Sequence, residues 1–113
     1  MSTEKKNTEV QALADERVYK LMRPIVFDGK EITELTLDFE SLDGNDLLAC
    51  VKQARRIDPE EGIVAPVRAT TISYQVTVAA KAANVVPELI QSLKGSDFSQ
   101  VTQKAANFLL LQG

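Results

Sequence analysis

An Asp-Gly pair between two runs of strand-forming residues is the feature that most constrains the fold of this chain. Asp28 and Gly29 separate the runs YKLMRPIVF and KEITELTLDF. Glycine adopts positive φ at little cost and aspartate tolerates it, so this dipeptide is typical of a tight β-hairpin turn. A hairpin of two strands is only marginally stable in water by itself. It must therefore lay one face on another part of the chain, and the segments downstream are the available support.

Two registers are open for this hairpin, and they bury opposite faces of the first strand, because a slip of one residue inverts a strand. A two-residue loop pairs Phe27 with Lys30, and its buried face holds Val18, Met22, Val26, Leu35, Leu37 and Phe39. A bulge at Gly29 gathers instead Tyr19, Leu21, Ile25, Phe27, Leu35, Leu37 and Phe39. We favour the bulge, because it places more large apolar side chains on one face. Pro24 has no N–H for a ladder, so the first strand is an edge at that point.

Helical patterns follow the hairpin to the end of the chain. Apolar residues recur at helical spacing, and Asp58-Pro59, Asn84 and Gly95 mark boundaries between the helices. Serine side chains are the expected N-caps of the first and last helices, at Ser41 and Ser96. The predicted elements are a flexible tail at 1–17, a hairpin at 18–40, and helices at about 42–57, 69–83, 87–94 and 96–111. We therefore expect an α+β protein in which an N-terminal antiparallel β-hairpin packs on a small bundle of three to four α-helices, as a single domain over 18–113.

Composition argues against several classes of function. The net charge of −3 over 113 residues disfavours nucleic acid as a partner, because phosphate binding needs a basic patch. No apolar run approaches the roughly 20 residues of a membrane span, so no membrane partner is expected. The chain has no His, and its single Cys, Cys50, lies in a predicted helix, where it is best interpreted as a small buried side chain. We expect no catalytic, cofactor or metal site, and we predict that the protein is not an enzyme.

Two apolar stretches are candidates for partner binding. The last predicted helix ends in four large apolar residues, more than one helix face can bury, and Ile63-Val64-Ala65 lies in the irregular connection between the first two helices. The candidate partner-binding residues are Ile63, Val64, Phe108, Leu109, Leu110 and Leu111. Both stretches can alternatively cover the protein's own core, and for the connection we favour this interpretation. The small residues of the Ala-rich segment Ala79–Ala83 would also let a partner helix approach closely.

Several segments, taken in order, resemble one protein family. PIVFDGKEITELTL is followed by GNDLL, and the chain ends in LIQSLKGSDFSQVTQKAANFLL. This order is similar to that of the tail assembly chaperones of contractile-tailed bacteriophages, the group that includes the Mu-like phages. The positions that carry the resemblance are Pro24, Ile25, Gly29, Lys30, Leu35, Leu37, Asp46, Leu47, Leu93, Asp97, Phe98, Phe108 and Leu109. The family often has an Arg-x-Pro step after the second strand, where this chain has DFESLDG, so a basic residue at that site has no counterpart here.

The resemblance implies a small protein of the host cytoplasm, made during infection or from a prophage. Members are thought to coat the tape measure protein and keep it soluble while the tail tube polymerises around it, and to leave before the virion is complete. The tape measure protein is therefore the expected partner, held reversibly in an apolar groove. Self-association is expected from the apolar C-terminus. Many members have a longer form made by a ribosomal frameshift, so a frameshift-extended copy is a further expected partner.

Two alternative functions stay open on the sequence alone. A structural component of the tail, in the tube or the baseplate and retained in the virion, would account for the hairpin, since tail tube proteins are strand-rich. The helical content predicted here is high for a tube subunit. A small host regulator or antitoxin-like adaptor would share the pattern by chance, and the acidic balance argues against DNA binding by such a protein.

Overall fold

The computed structural model describes residues 17–60 and 71–111, without the side chain of Leu111. The elements follow in the order strand β1 (Val18–Phe27), strand β2 (Lys30–Thr36), a 3-10 helix (Phe39–Ser41), and helices α1 (Gly44–Ile57), α2 (Ile72–Ala83), α3 (Pro87–Gln91) and α4 (Gly95–Leu111). The two strands form an antiparallel hairpin, and the helices pack behind it. The expected α+β class, with an N-terminal hairpin on a small helical bundle, is confirmed.

Helix α2 is the centre of the core. Eight of its 12 residues are buried, and α1, α3, α4 and β2 all pack against it. Its most buried side chains are small or β-branched, with Val78 and Ala79 at 0% exposure and Ala80 at 1%. Small side chains let several neighbours pack closely around one helix. The alanine face that was expected to receive a partner helix is therefore occupied by the protein's own helices.

The start of α1 differs from the prediction, whereas the end of α2 agrees with it. Ser41 does not cap α1, because its hydroxyl donates to the carbonyl oxygen of Asp38 at 2.9 Å. Asp43 is the N-cap: its carboxylate accepts from the N–H of Asp46 at 2.9 Å, and the Asp46 carboxylate accepts from the N–H of Asp43 at 3.0 Å. This reciprocal pair satisfies two free N–H groups, which one serine hydroxyl cannot do. Asn84 ends α2 in the left-handed conformation, with φ of 57°.

Other predicted boundaries shift by a few residues or lie outside the described residues. Helix α3 ends at Gln91, before the predicted 94. Helix α4 begins at Gly95, so Ser96 lies inside its first turn and does not precede it. Apart from Arg17, the tail predicted at 1–17 is outside the described residues, as are the first two residues of the helix predicted to begin at 69.

The hairpin turn is the two-residue loop, and the prediction of a bulge at Gly29 is wrong. Phe27 pairs directly with Lys30. Asp28 and Gly29 have φ of 53° and 76°, which is the backbone of a type I′ turn. The twist of this turn matches the right-handed twist of the strands, so the pairing beside it stays regular.

A bulge in the middle of β1 reconciles this turn with the buried face that we predicted. On one side of the bulge Lys20 pairs with Glu34, and on the other side Ile25 pairs with Ile32. Between these pairs β1 has four residues and β2 has one. Strand β1 therefore has three more residues than β2 in this region. Because three is an odd number, the side chains of β1 beyond the bulge exchange faces relative to β2, as they would after a slip of one residue. Pro24, which has no N–H for the ladder, lies inside the bulge.

The face turned to the core is the one predicted for the bulged register. Four aliphatic side chains of the hairpin region are at most 7% exposed: Leu21, Ile25, Leu35 and Leu37. Three aromatic side chains are half-buried against the same core: Tyr19, Phe27 and Phe39. Met22 and Val26, which the simple two-residue register would bury, are 70% and 72% exposed. The predicted face is confirmed, although the bulge that produces it lies elsewhere.

The Asp97 carboxylate fastens the bulge of β1 to the start of α4. Its Oδ1 accepts from the Tyr19 hydroxyl at 2.7 Å and from the N–H of Met22 at 2.9 Å, and its Oδ2 accepts from the N–H of Arg23 at 3.0 Å. Asp97 is fully buried. Residues in the bulge lack ladder partners on β2, and their N–H groups need another acceptor. From the sequence, Asp97 was expected only to favour the N-terminal end of the last helix.

The hydrogen bonds of this anchor also set the protonation of its two titratable groups. Burial acts to raise the pKa of the Asp97 carboxyl, but the three hydrogen bonds and the Arg23 charge together hold it below its ordinary value. Burial, the hydrogen bond to Asp97 and the charge of Asp97 raise the pKa of Tyr19 to about 12. At neutral pH the carboxylate is therefore charged and the phenol protonated, which pairs every donor with an acceptor.

Substitution of Asp97 by asparagine should weaken the attachment of the hairpin. The amide keeps one oxygen but turns an NH2 group towards a buried N–H, so we expect Asp97→Asn to lower the free energy of unfolding by about 2–3 kcal/mol. Tyr19→Phe removes only one donor and should cost about 1 kcal/mol. Urea unfolding followed by circular dichroism measures both. A loss for Asp97→Asn no larger than that for Tyr19→Phe would contradict the anchoring role.

The stabilisation that the Asp97 hydrogen bonds provide should decrease as the pH is lowered. A carboxyl whose folded pKa lies below the ordinary value of about 3.9 stabilises the fold above that value. This stabilisation is lost as the pH falls through the folded pKa. The stability difference between the wild type and Asp97→Asn should therefore be full at neutral pH and shrink below about pH 4. Unfolding at a series of pH values tests this, and a difference that stays constant into strong acid would refute it.

Candidate partner-binding surface

The last turns of α4 carry an apolar surface that extends onto the 3-10 helix. The Phe108 ring stacks on Phe39, with centroids 5.3 Å apart and an angle of 20° between the ring planes. Both rings and Leu109 are half-buried against the core, whereas Leu110 is 53% exposed. We call Phe39, Phe108, Leu109 and Leu110 the C-terminal patch. Its chemistry is that of a surface which buries apolar area against a partner.

Three of the six residues predicted for partner binding have side chains that the structure describes. Phe108, Leu109 and Leu110 belong to the C-terminal patch. Ile63 and Val64 lie outside the described residues, and the side chain of Leu111 is not described either. The structure adds Phe39, which the sequence indicated only as part of the hairpin face. No local signal links Phe39 to Phe108, because their contact forms only when the 3-10 helix and α4 pack together.

A second surface is a shallow groove between α1 and α3. Three depressions of about 360, 390 and 430 Å³ follow one another along it. Gln53 and Pro87 line the first two, and Ile57 and Gln91 line the second and third. We call the surface lined by these four residues the helix groove. Aliphatic, amide and charged side chains line its walls, so a molecule bound here must supply hydrogen bonds as well as apolar contact.

Cys50 has a structural role, as expected for a small buried side chain. It is fully buried, and its Sγ donates to the carbonyl oxygen of Thr77 at 3.5 Å. The Thr77 hydroxyl in turn lies 3.1 Å from the carbonyl oxygen of Cys50. Burial raises the pKa of the Cys50 thiol, and a protonated, buried thiol is a poor nucleophile. The pair therefore joins α1 to α2.

Two further kinds of feature are absent from the residues that the structure describes. Across 17–60 and 71–111, no group of Cys, Asp and Glu side chains is arranged to hold a metal ion. None of the helices in these ranges has the length and apolar character that crossing a membrane requires.

The half-burial of Phe108 sets the cost expected for its removal. Truncation of a fully buried phenylalanine to alanine costs about 3–5 kcal/mol, so Phe108→Ala should lower the free energy of unfolding by about 2 kcal/mol. Leu110→Ala should change it by less than about 0.5 kcal/mol, because the side chain is largely exposed. Urea unfolding of both variants tests this. If Phe108→Ala is as stable as the wild type, stacking on Phe39 does not hold the end of α4.

Comparison with known proteins gives a family match over most of the chain. A family model described as phage tail assembly chaperone proteins, E, or 41 or 14, matches residues 18–110. This range includes both strands, all but the last residue of α4 and the whole C-terminal patch. No curated protein and no solved structure gives a significant match.

Proposed function

The chain belongs to the phage tail assembly chaperone proteins, and on this premise we propose that it binds the tape measure protein and keeps it soluble during tail assembly. The family match over residues 18–110 is the observation that carries the proposal, and it confirms the family resemblance of the sequence. A role in tail assembly follows from membership of the family. The choice of the tape measure protein as the client is the proposed step.

The proposed binding surface is the C-terminal patch, extended by Ile63, Val64 and Leu111. Leu110 is the patch residue most open to solvent, and a helix of the client would cover it together with the adjacent, half-buried Leu109. Each large apolar side chain that is fully removed from water contributes about 1.5–3 kcal/mol. A few such contacts support binding that can be reversed, which a chaperone needs if it leaves before the tail is complete.

The C-terminal patch is a better surface for a hydrophobic helix than the helix groove. The groove presents the amide groups of Gln53 and Gln91 beside its aliphatic side chains, and covering an amide without a hydrogen-bond partner is unfavourable. The patch consists only of aromatic and aliphatic side chains. An amphipathic client helix can therefore cover the patch without having to match polar groups.

The proposed mechanism needs no catalytic group and no cofactor, because it works by shielding apolar surface in the host cytoplasm. The protein would then be absent from the mature virion. A structural tail component in the tube or baseplate is the alternative, and it would be retained. Mass spectrometry of purified particles separates the two functions, since the chain should be missing if it is a chaperone.

Other copies of the chain are further proposed partners, including a frameshift-extended form. An extended form would carry the same hairpin and helices before its additional segment. It would therefore present the same surfaces as the shorter form. An antibody against the chain should detect a second, larger product in infected or induced cells if such a form is made.

Binding to the tape measure protein can be tested by co-expression and pull-down with the client encoded by the same phage or prophage. The chain should raise the soluble fraction of the client and be recovered with it. Leu110→Gln should weaken the complex about tenfold or more, because it removes one large apolar contact. Val86→Gln is the matched control, because Val86 is 51% exposed and lines the first depression of the helix groove. It should bind like the wild type.

The outcomes of this experiment test the position of the binding surface separately from the identity of the client. Weak binding by Val86→Gln with normal binding by Leu110→Gln would place the interface in the helix groove. If the wild-type chain forms no complex and gives no gain in solubility, the tape measure protein is not the client.

A further inference from the structure

We infer that α4 pairs with α4 of a second copy of the chain, in antiparallel orientation and with the two-fold axis at Gln103. Five exposed residues recur along this helix at intervals of three and four: Ser96, Ser99, Gln103, Asn107 and Leu110. Residues at these intervals lie on one face of a helix, and we call them the α4 ridge. The inference does not depend on the proposed binding of the tape measure protein, because a dimer is measured without that protein.

The exposed side of α4 carries almost no charge. Charged residues make up 26% of the chain, yet Lys104 is the only one among the exposed residues that the structure describes in α4. Its Nζ lies 5.8 Å from the centroid of the Tyr19 ring, over the hairpin of its own chain. A helix face that meets only water usually carries charged residues. A face that packs on a copy of itself must instead keep like charges apart, and the α4 ridge meets this condition.

The sizes of the side chains give the two copies a register. The ridge has the same intervals in both directions from Gln103, so an antiparallel pair centred there matches each ridge residue with another. Leu110 of each copy then packs over Ser96 of the other, and Asn107 lies across from Ser99. Each larger side chain meets a small one, which lets the two helix surfaces interdigitate. A parallel pair would set Leu110 against Leu110 and align the two helix dipoles unfavourably.

The amide groups of the ridge favour a second copy over an apolar helix as the occupant. The Gln103 Nε2 donates to the Asn107 Oδ1 at 3.0 Å, so the Gln103 oxygen and the Asn107 NH2 group can still bond to another molecule. An apolar helix would cover these groups without supplying hydrogen bonds, which is unfavourable. A second copy brings the same acceptor and the same donor to the contact, and it also covers the exposed Leu110.

The extent of the contact indicates a weak dimer. From Ser96 to Leu110 the ridge spans about 21 Å at 1.5 Å per residue. One helix face of this length buries less than the roughly 800 Å² per partner of a standard interface. We therefore expect a dissociation constant above about 1 μM, with monomer and dimer in exchange. Leu110 also belongs to the C-terminal patch, and a weak dimer leaves it available to a client.

Charge placed at the two-fold axis tests both the pairing and its register. Residue 103 of one copy lies beside residue 103 of the other, so Gln103→Glu brings two carboxylates together and Gln103→Lys brings two ammonium groups together. Each variant alone should raise the dissociation constant of the dimer about tenfold or more, because like charges in contact repel. Analytical ultracentrifugation over a range of concentrations measures this, with the wild type approaching twice the 12.4 kDa mass of the chain.

An equimolar mixture of the two variants should restore the dimer. In a mixed pair the carboxylate of one chain meets the ammonium group of the other, which happens only if the two residues 103 are neighbours. Both variants keep a net negative charge, so general attraction between the chains cannot produce the recovery. The mixture should therefore dimerise at least as tightly as the wild type.

Gln91→Glu is the matched control, because it adds the same charge at an exposed position of α3, outside the α4 ridge. It should dimerise like the wild type. Residue 103 is also exposed, so all of these variants should unfold at the urea concentration that unfolds the wild type. A wild type that stays monomeric at every concentration would overturn the inference. So would a dimer that Gln103→Glu leaves intact, a mixture that does not recover, or an equal loss in Gln91→Glu.

Discussion

The hydrogen bonds to Asp97 are the interaction on which the rest of the structure depends. The bulge in β1 takes two N–H groups out of the ladder, and a buried N–H without an acceptor costs about 1–3 kcal/mol. The Asp97 carboxylate accepts hydrogen bonds from both of these N–H groups and from the Tyr19 hydroxyl. Because Asp97 accepts these hydrogen bonds, β1 can contain the bulge. The hairpin then keeps a two-residue type I′ turn and still turns its large apolar side chains to one face. A backbone bond of 3.1 Å from the N–H of Asp38 to the carbonyl oxygen of Ala82 then joins the end of the hairpin to the last turn of α2.

The central position of α2 explains why the proposed binding surface lies at the periphery. Its small side chains are covered by the protein's own elements, so they cannot receive a partner helix. Open apolar side chains lie at the end of α4, where Leu110 is 53% exposed, and on the face of β1 turned away from the core, where Met22 and Val26 are 70% and 72% exposed. A client helix, as we propose it, would therefore contact the periphery of the protein and not α2.

The residues of the proposed binding surface could be predicted only in part from the sequence. Leu110 was predicted because four large apolar residues at the end of a helix exceed what one face can bury. Phe39 was missed, because its stacking on Phe108 joins residues that are distant in the chain and have no shared pattern. The alanines of α2 were assigned to a partner by mistake. Their pattern shows that close packing occurs but not whether the neighbour belongs to the same chain.

The sequence by itself determined the features that depend on neighbouring residues. These are the tight turn at Asp28-Gly29, the helical periodicity, the end of α2 at Asn84 and the family, since each is written in a short stretch or in an ordered set of stretches. Only the tertiary structure decided where the bulge lies and which carboxylate binds it. Asp97 has the ordinary appearance of an acidic residue in the first turn of a helix. Its function as an acceptor for N–H groups of a distant strand exists only once the hairpin and α4 are packed together, because a buried donor must be satisfied by whatever acceptor the fold brings within reach.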